Sequence, residues 1–252
     1  MIVVKPSQSG LHLYHQIDHA HMAWQIAQHW RRPDHIDAPT WDRLLDITAH
    51  HDDGWLSHDH APTLDQQGSP NDFKLMPLHL HCDIWRRSIA LAMNRDWLGG
   101  LLIAMYATNL YKAYGQHGEA DQPFINELAQ LTSRIIHQTQ NRTPTDRSLV
   151  EPAKLATLLS MFTFWDGLSL TLIKALPWQA DWQYEDGRAM LHVQDQGDGF
   201  FNISPWPMSE PQLSVTIDGL QMPQNNWDDR PSFLSSYELA QPIRTHVQLQ
   251  AG

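Results

Sequence analysis

The sequence predicts a mainly α protein: a helical bundle followed by a small C-terminal β region. Three observations predict it. Apolar residues recur at three- and four-residue steps up to about Leu176, the period of helices that bury one face. After Pro177 the period changes to short alternating runs separated by Gly, Pro, Asn and Asp, as in strands and turns. Hydrophobic residues make up 42% of the 252 positions and include eleven tryptophans, enough for one large core. The chain therefore divides into a helical domain, residues 1–177, and a small β-rich extension, residues 178–252, packed on it.

The elements follow in order. Residues 2–5 read as a short strand. Asp18 can cap a first helix that reaches Trp30, and Pro33 and Pro39 mark the turn after it. Thr40 can cap a second helix, Trp41 to His51, which Gly54 ends. Residues 57–77 hold three prolines and Gly68-Ser69 with little periodicity, so they form a long loop; loops of this length are often functional, here as a lid. A third helix spans Leu78 to Met93 and a fourth Trp97 to Tyr114. Pro123 opens a fifth, ending near Asn141. Ser148 and Glu151 form a capping box for a sixth, Leu149 to Leu176. The runs Met190–Gln194, Phe200–Ser204, Leu213–Ile217 and Ile243–Leu249 read as strands.

Charge and composition exclude several classes. The formal net charge is −11, and Arg31-Arg32 and Arg86-Arg87 are the only adjacent basic pairs, which argues against a nucleic-acid partner. Cys82 is the only cysteine, so neither an intrachain disulfide nor a zinc site of several thiolates is possible. Residues 1–6 lack the features of a signal peptide, and the most apolar segment, Trp97–Tyr111, is too short to span a bilayer. The expectation is a soluble cytoplasmic protein that acts on a small molecule, with no membrane partner and an open oligomeric state.

Histidine is the outlier, at 16 residues, and position separates the special ones. In the sixth helix the stripe Leu155, Leu159, Phe162, Asp166, Ser169, Ile173 follows one face, with a carboxylate in its middle. A buried carboxylate costs several kcal/mol unless paired or metal-bound. The second helix carries Leu44, Ile47, Thr48 and His51 on one face, and Asp52 follows directly. The first carries His19, Met22, Ala23, Ile26 and Trp30, which leaves His21 on the surface. The third prefers His81 to His79 as the inward group, and Tyr106 of the fourth shares a face with Leu98, Leu102 and Met105. Neutral imidazole and carboxylate suit divalent metals, and one shared ion would satisfy these groups together.

The order His19, His51-Asp52, Asp166 resembles the HD-domain superfamily of metal-dependent hydrolases, helical bundles whose ligands run His, His-Asp, Asp. Many members add histidines and hold a second metal. His81 lies where the first of these falls; Tyr106 lies near the second and departs from that pattern. The stretches Gln16-Ile-Asp-His19-Ala, His51-Asp-Asp-Gly-Trp55, His81-Cys-Asp-Ile-Trp-Arg-Arg87 and Trp165-Asp-Gly-Leu-Ser-Leu170, with Pro205-Trp206-Pro207, resemble more closely the uncharacterised bacterial domain-of-unknown-function family 3891.

The resemblance implies a metal-dependent phosphohydrolase with one divalent ion or two, of Fe, Mn, Zn or Mg, on His19, His51, Asp52, His81 and Asp166. Asp52, with Asp53 or His50, would supply acid–base chemistry. Trp55, Trp85 and Tyr106 would line the substrate pocket, and Arg86 and Arg87 would clamp a phosphate. Two alternatives stand beside it: an HD-type iron oxygenase, which the extra histidine His81 suggests, and a non-enzymatic metal-containing binding or sensor domain.

Overall fold

A computed structural model describes residues 1–4, 10–115, 118–174, 178–184 and 187–252. The boundary expected after Pro177 and the end expected for the sixth helix, Leu176, lie outside the described residues.

The helices begin with α1 (Gln16–His29), α2 (Ala38–His50) and the single turn α3 (Leu56–Asp59). Then come α4 (Leu78–Arg95), α5 (Trp97–Tyr114), α6 (Gln122–Thr139), α7 (Pro144–Leu149), α8 (Pro152–Lys174) and α9 (Arg230–Glu238). Local chemistry sets their ends. Asp37, rather than Thr40, caps α2 by accepting the Thr40 N–H at 2.8 Å. Asp96 caps α5 through the Leu98 N–H. The expected sixth helix starts later than Leu149, as α8 at Pro152, whose fixed φ and missing N–H suit a first turn, and a short α7 capped by Thr143 precedes it.

The strands are β1 (Ile2–Val4), β2 (Leu11–Tyr14), β3 (Trp178–Tyr184), β4 (Gly187–Gly197), β5 (Phe200–Ser204), β6 (Gln212–Met222) and β7 (Gln241–Ala251). Among the described residues they form one seven-stranded sheet in the order β1-β2-β6-β7-β5-β4-β3. β5 and β7 are parallel and every other pair is antiparallel.

This corrects the expected fold class. The chain is an α/β protein with a large curled mixed sheet, not a mainly α bundle with a small C-terminal β region. Two features overturn the expectation. β4, β6 and β7 are eleven residues each, longer than the runs that announced them. The N-terminal strands also pair with the C-terminal ones, Leu11 opposite Met222 and Leu13 opposite Leu220. Pairing across that separation leaves no local period.

The helices and the sheet share a core. β6 alternates, burying Leu213, Val215 and Ile217, and α1 packs on it. The Gln25 carboxamide of α1 locks them together: its Nε2 donates to the Thr216 carbonyl at 2.9 Å and its Oε1 accepts the Thr216 N–H at 3.0 Å. α8 packs against α1, α2 and α5 and is buried nearly all round. By length and composition α8 is apolar enough to cross a membrane, and 67% of that stretch is buried inside the fold. The 3-10 turn Asp53–Trp55 lies tight on α4. A Cβ at Gly54 would stand 2.4 Å from Ser88 Oγ and 2.7 Å from the Ile84 carbonyl oxygen, so only glycine lets the chain after His51-Asp52 approach this closely.

Candidate metal centre

Four helices deliver the site. His19 lies in the first turns of α1. His51 is the C-cap of α2, still helical at φ −65°, and Asp52 follows at φ −103°, ψ 14°, where the chain leaves the helix. Asp166 is in the middle of α8 and Tyr106 in the middle of α5. All five are buried.

Asp166 is the hub. Its Oδ1 lies 2.9 Å from His19 Nε2 and 2.9 Å from His51 Nε2. Its Oδ2 accepts the Tyr106 hydroxyl. Asp52 Oδ2 flanks the group, 3.5 Å from His51 Nε2 and 3.9 Å from His19 Nε2.

The opposite face of each imidazole sets its tautomer. His51 Nδ1 lies 2.8 Å from the Thr48 carbonyl, which can only accept, so Nδ1 carries a proton. Ser169 Oγ donates to the Asp166 carbonyl at 2.8 Å and therefore accepts from His19 Nδ1 at 2.8 Å. Both neutral imidazoles thus aim an Nε2 lone pair at one carboxylate oxygen. Extra protons or a cation must resolve that crowding, and a carbonyl or hydroxyl behind each ring is how proteins orient metal-binding histidines. His19, His51 and Asp166 each offer a ligand atom, all within 4.8 Å of one another, so the group can hold a metal ion.

Electrostatics of the metal-free site follow the same contacts. Burial pulls the His51 imidazole down, but Asp52 and Asp166 outweigh it and lift it to about 9. Burial raises Asp52 to about 6 against the opposing pull of His51 and His19. Burial also pushes Asp166 up, but the bonds from His19 and His51 win and hold it well below the ordinary carboxylate range. Burial and the Asp166 charge raise Tyr106 well above its usual value, so it stays a donor.

Above the ordinary carboxylate range, metal-free stability is therefore expected to fall as pH rises. The His51 contribution is complete below its ordinary 6.5 and is lost as pH climbs to about 9. Asp52, raised from 3.8 to about 6, adds a decline between those two values. A divalent ion in place of the Nε2 proton flattens the profile. Melting temperature against pH, with and without added metal, measures this; a metal-free melting temperature that rises between pH 6.5 and 9 contradicts a protonated His51.

The remaining expected residues lie elsewhere. His81 stands outside the ligand group: its Nε2 accepts the Trp85 indole N–H at 3.1 Å and its Nδ1 meets the Tyr111 hydroxyl at 2.8 Å. Trp55 and Trp85 are buried against the His81 ring, and Trp85 also meets Tyr106 edge-on at 5.9 Å. Arg86 pairs with Glu127 at 2.6 Å and Asp83 at 2.8 Å on the surface. Arg87 bonds the Gly54 carbonyl and the Ser57 hydroxyl. Asp53, half-exposed, meets His50 and Arg95, each at 3.2 Å. The 57–77 segment is pinned: Asp72 accepts the Val3 N–H and pairs with Lys174, and the Trp227 N–H donates to the Gly68 carbonyl. Sequence reasoning missed the roles of Thr48 and Ser169. Ser169 offered a faint signal, a small polar residue three positions from Asp166 on the same stripe, whereas Thr48 acts through its main-chain carbonyl, which no side chain announces.

The model of the family described as "Protein of unknown function (DUF3891)" matches residues 1–224, and the chain belongs to that family. No curated protein and no solved structure matches it.

Proposed function

We propose that this family member is a metal-dependent hydrolase of the HD type. One divalent ion would sit on His19 Nε2, His51 Nε2 and Asp166 Oδ1, and the substrate would be a small phosphorylated or nucleotide-like molecule. One observation carries the reading: two imidazoles, each with Nδ1 tied back, converge on one buried carboxylate oxygen in the chain order His, His-Asp, Asp. That order is what the chain shares with the HD superfamily.

A divalent ion there would lower the pKa of a coordinated water and polarise a phosphoryl oxygen. The protein supplies the rest. The Thr48 carbonyl and the Ser169 hydroxyl hold the two Nδ1 protons, so each Nε2 faces inward as the nitrogen a cation would take. Asp52, 3.5 and 3.9 Å from those atoms, is placed to take up a proton. Phosphate recognition would need groups other than Arg86, which is engaged by Glu127 and Asp83.

The oxygenase reading keeps one point in its favour, since two histidines and a carboxylate also hold mononuclear iron. A diiron version needs further imidazoles, and both His81 nitrogens are engaged by Trp85 and Tyr111. The test is metal analysis of protein purified without a His-tag, then a panel of phosphomonoesters and nucleotides. The expected result is bound divalent metal and hydrolysis that chelation abolishes and metal restores. Loaded protein inert to the whole panel would count against a phosphohydrolase, and O2 uptake by an iron-loaded sample would favour the oxygenase.

A further inference from the structure

Asp166 divides its two oxygens between different partners. Oδ1 faces both imidazole Nε2 atoms, whereas Oδ2 takes the Tyr106 hydroxyl. The Tyr106 ring is buried and held edge-on by Trp85, at 5.9 Å between ring centres, and by Phe162, at 5.2 Å. Phe162 in turn packs edge-on against the His51 ring at 5.2 Å. One aromatic wall thus fixes both the phenol and an imidazole on the same carboxylate.

We infer that Tyr106 is a positioning residue that reserves Asp166 Oδ2, so that this carboxylate offers a cation Oδ1 alone and does not itself bridge a pair of ions. This rests on His19, His51 and Asp166 being metal ligands. A carboxylate that bridges two ions gives an oxygen to each, and here the second oxygen already accepts a buried phenol. On that side Trp85 separates Tyr106 from His81, whose nitrogens are spent on Trp85 and Tyr111.

Cobalt(II) is a suitable probe, because four-coordinate ions absorb visible light several-fold more strongly than five- or six-coordinate ones. Wild-type protein is expected to saturate at a single Co(II) per chain. Tyr106→Phe removes only the hydroxyl. It is expected to keep one ion, bind it about tenfold more weakly, and lose visible intensity as Oδ2 enters the coordination. A purely structural phenol would not move that spectrum. Unchanged affinity and spectrum in the variant overturn the inference and leave the metal site standing. A weak wild-type Co(II) spectrum, of five- or six-coordinate intensity, overturns it whether or not the variant folds. Wild type that takes up no Co(II) overturns the metal reading itself, and this inference with it.

Discussion

Asp166→Asn is expected to abolish metal uptake and to destabilise the metal-free protein by about 3 kcal/mol or more. The two effects share one origin. Asp166 Oδ1 is where the two histidines converge, so the amide removes the charge that a cation needs and the charge that holds a protonated His51. It also leaves Tyr106 facing a weaker acceptor. The loss cannot be made good by solvent, because His19, His51, Tyr106 and Asp166 are all buried. Metal content and urea denaturation of the same samples measure both effects, with circular dichroism to confirm that the helices persist. Full metal occupancy in Asp166→Asn would remove the carboxylate from the ligand set.

Why Asp166, His19 and His51 could be found without coordinates has a physical basis. Each interrupts an apolar stripe at helical spacing, so each must be buried, and a buried acid or imidazole needs a partner. Ser169 lies on the Asp166 stripe, but a small hydroxyl residue inside a helix most often satisfies itself, and Thr48 supports His51 through its main-chain carbonyl while its hydroxyl bonds the Leu44 carbonyl, so its side chain gives no sign of the role. His81 shows the limit of the method. Its stripe does face inward, yet inward on α4 leads to the Trp85–Tyr111 pocket and not to Asp166. Periodicity tells which side of a helix is buried, not which part of the interior it meets. Arg86 read as part of a phosphate clamp because Glu127, 41 residues away, leaves no sign beside it. The sheet is the same lesson at larger scale. Its strand segments were visible as alternating runs, while the junction of Leu11–Leu13 with Leu220–Met222 is a contact between the two ends of the chain.

In the proposed hydrolase, Asp52 would be the acid–base group beside the metal ligands. It differs from Asp166 in position: its Oδ2 is 3.5 and 3.9 Å from the imidazole nitrogens, against 2.9 Å to each for Asp166 Oδ1. In the metal-free site it differs in proton affinity too, since burial leaves it at about 6 whereas Asp166 is held far lower. A positioned general base contributes roughly 10²–10⁴-fold in rate. Asp52→Asn is therefore expected to keep bound metal and an unchanged metal-loaded melting temperature, and to lower turnover of any phosphoester substrate by at least about 100-fold. Loss of metal along with activity would instead make Asp52 a fourth ligand, closing the coordination as in structural sites. Retention of both metal and activity would leave the site without its acid–base group and would sink the hydrolytic role given to Asp52. The stability change separates these outcomes from misfolding. Asparagine removes a buried charge that is costly without metal, so the metal-free variant is expected to melt no lower than the wild type above about pH 6, the value to which burial raises Asp52.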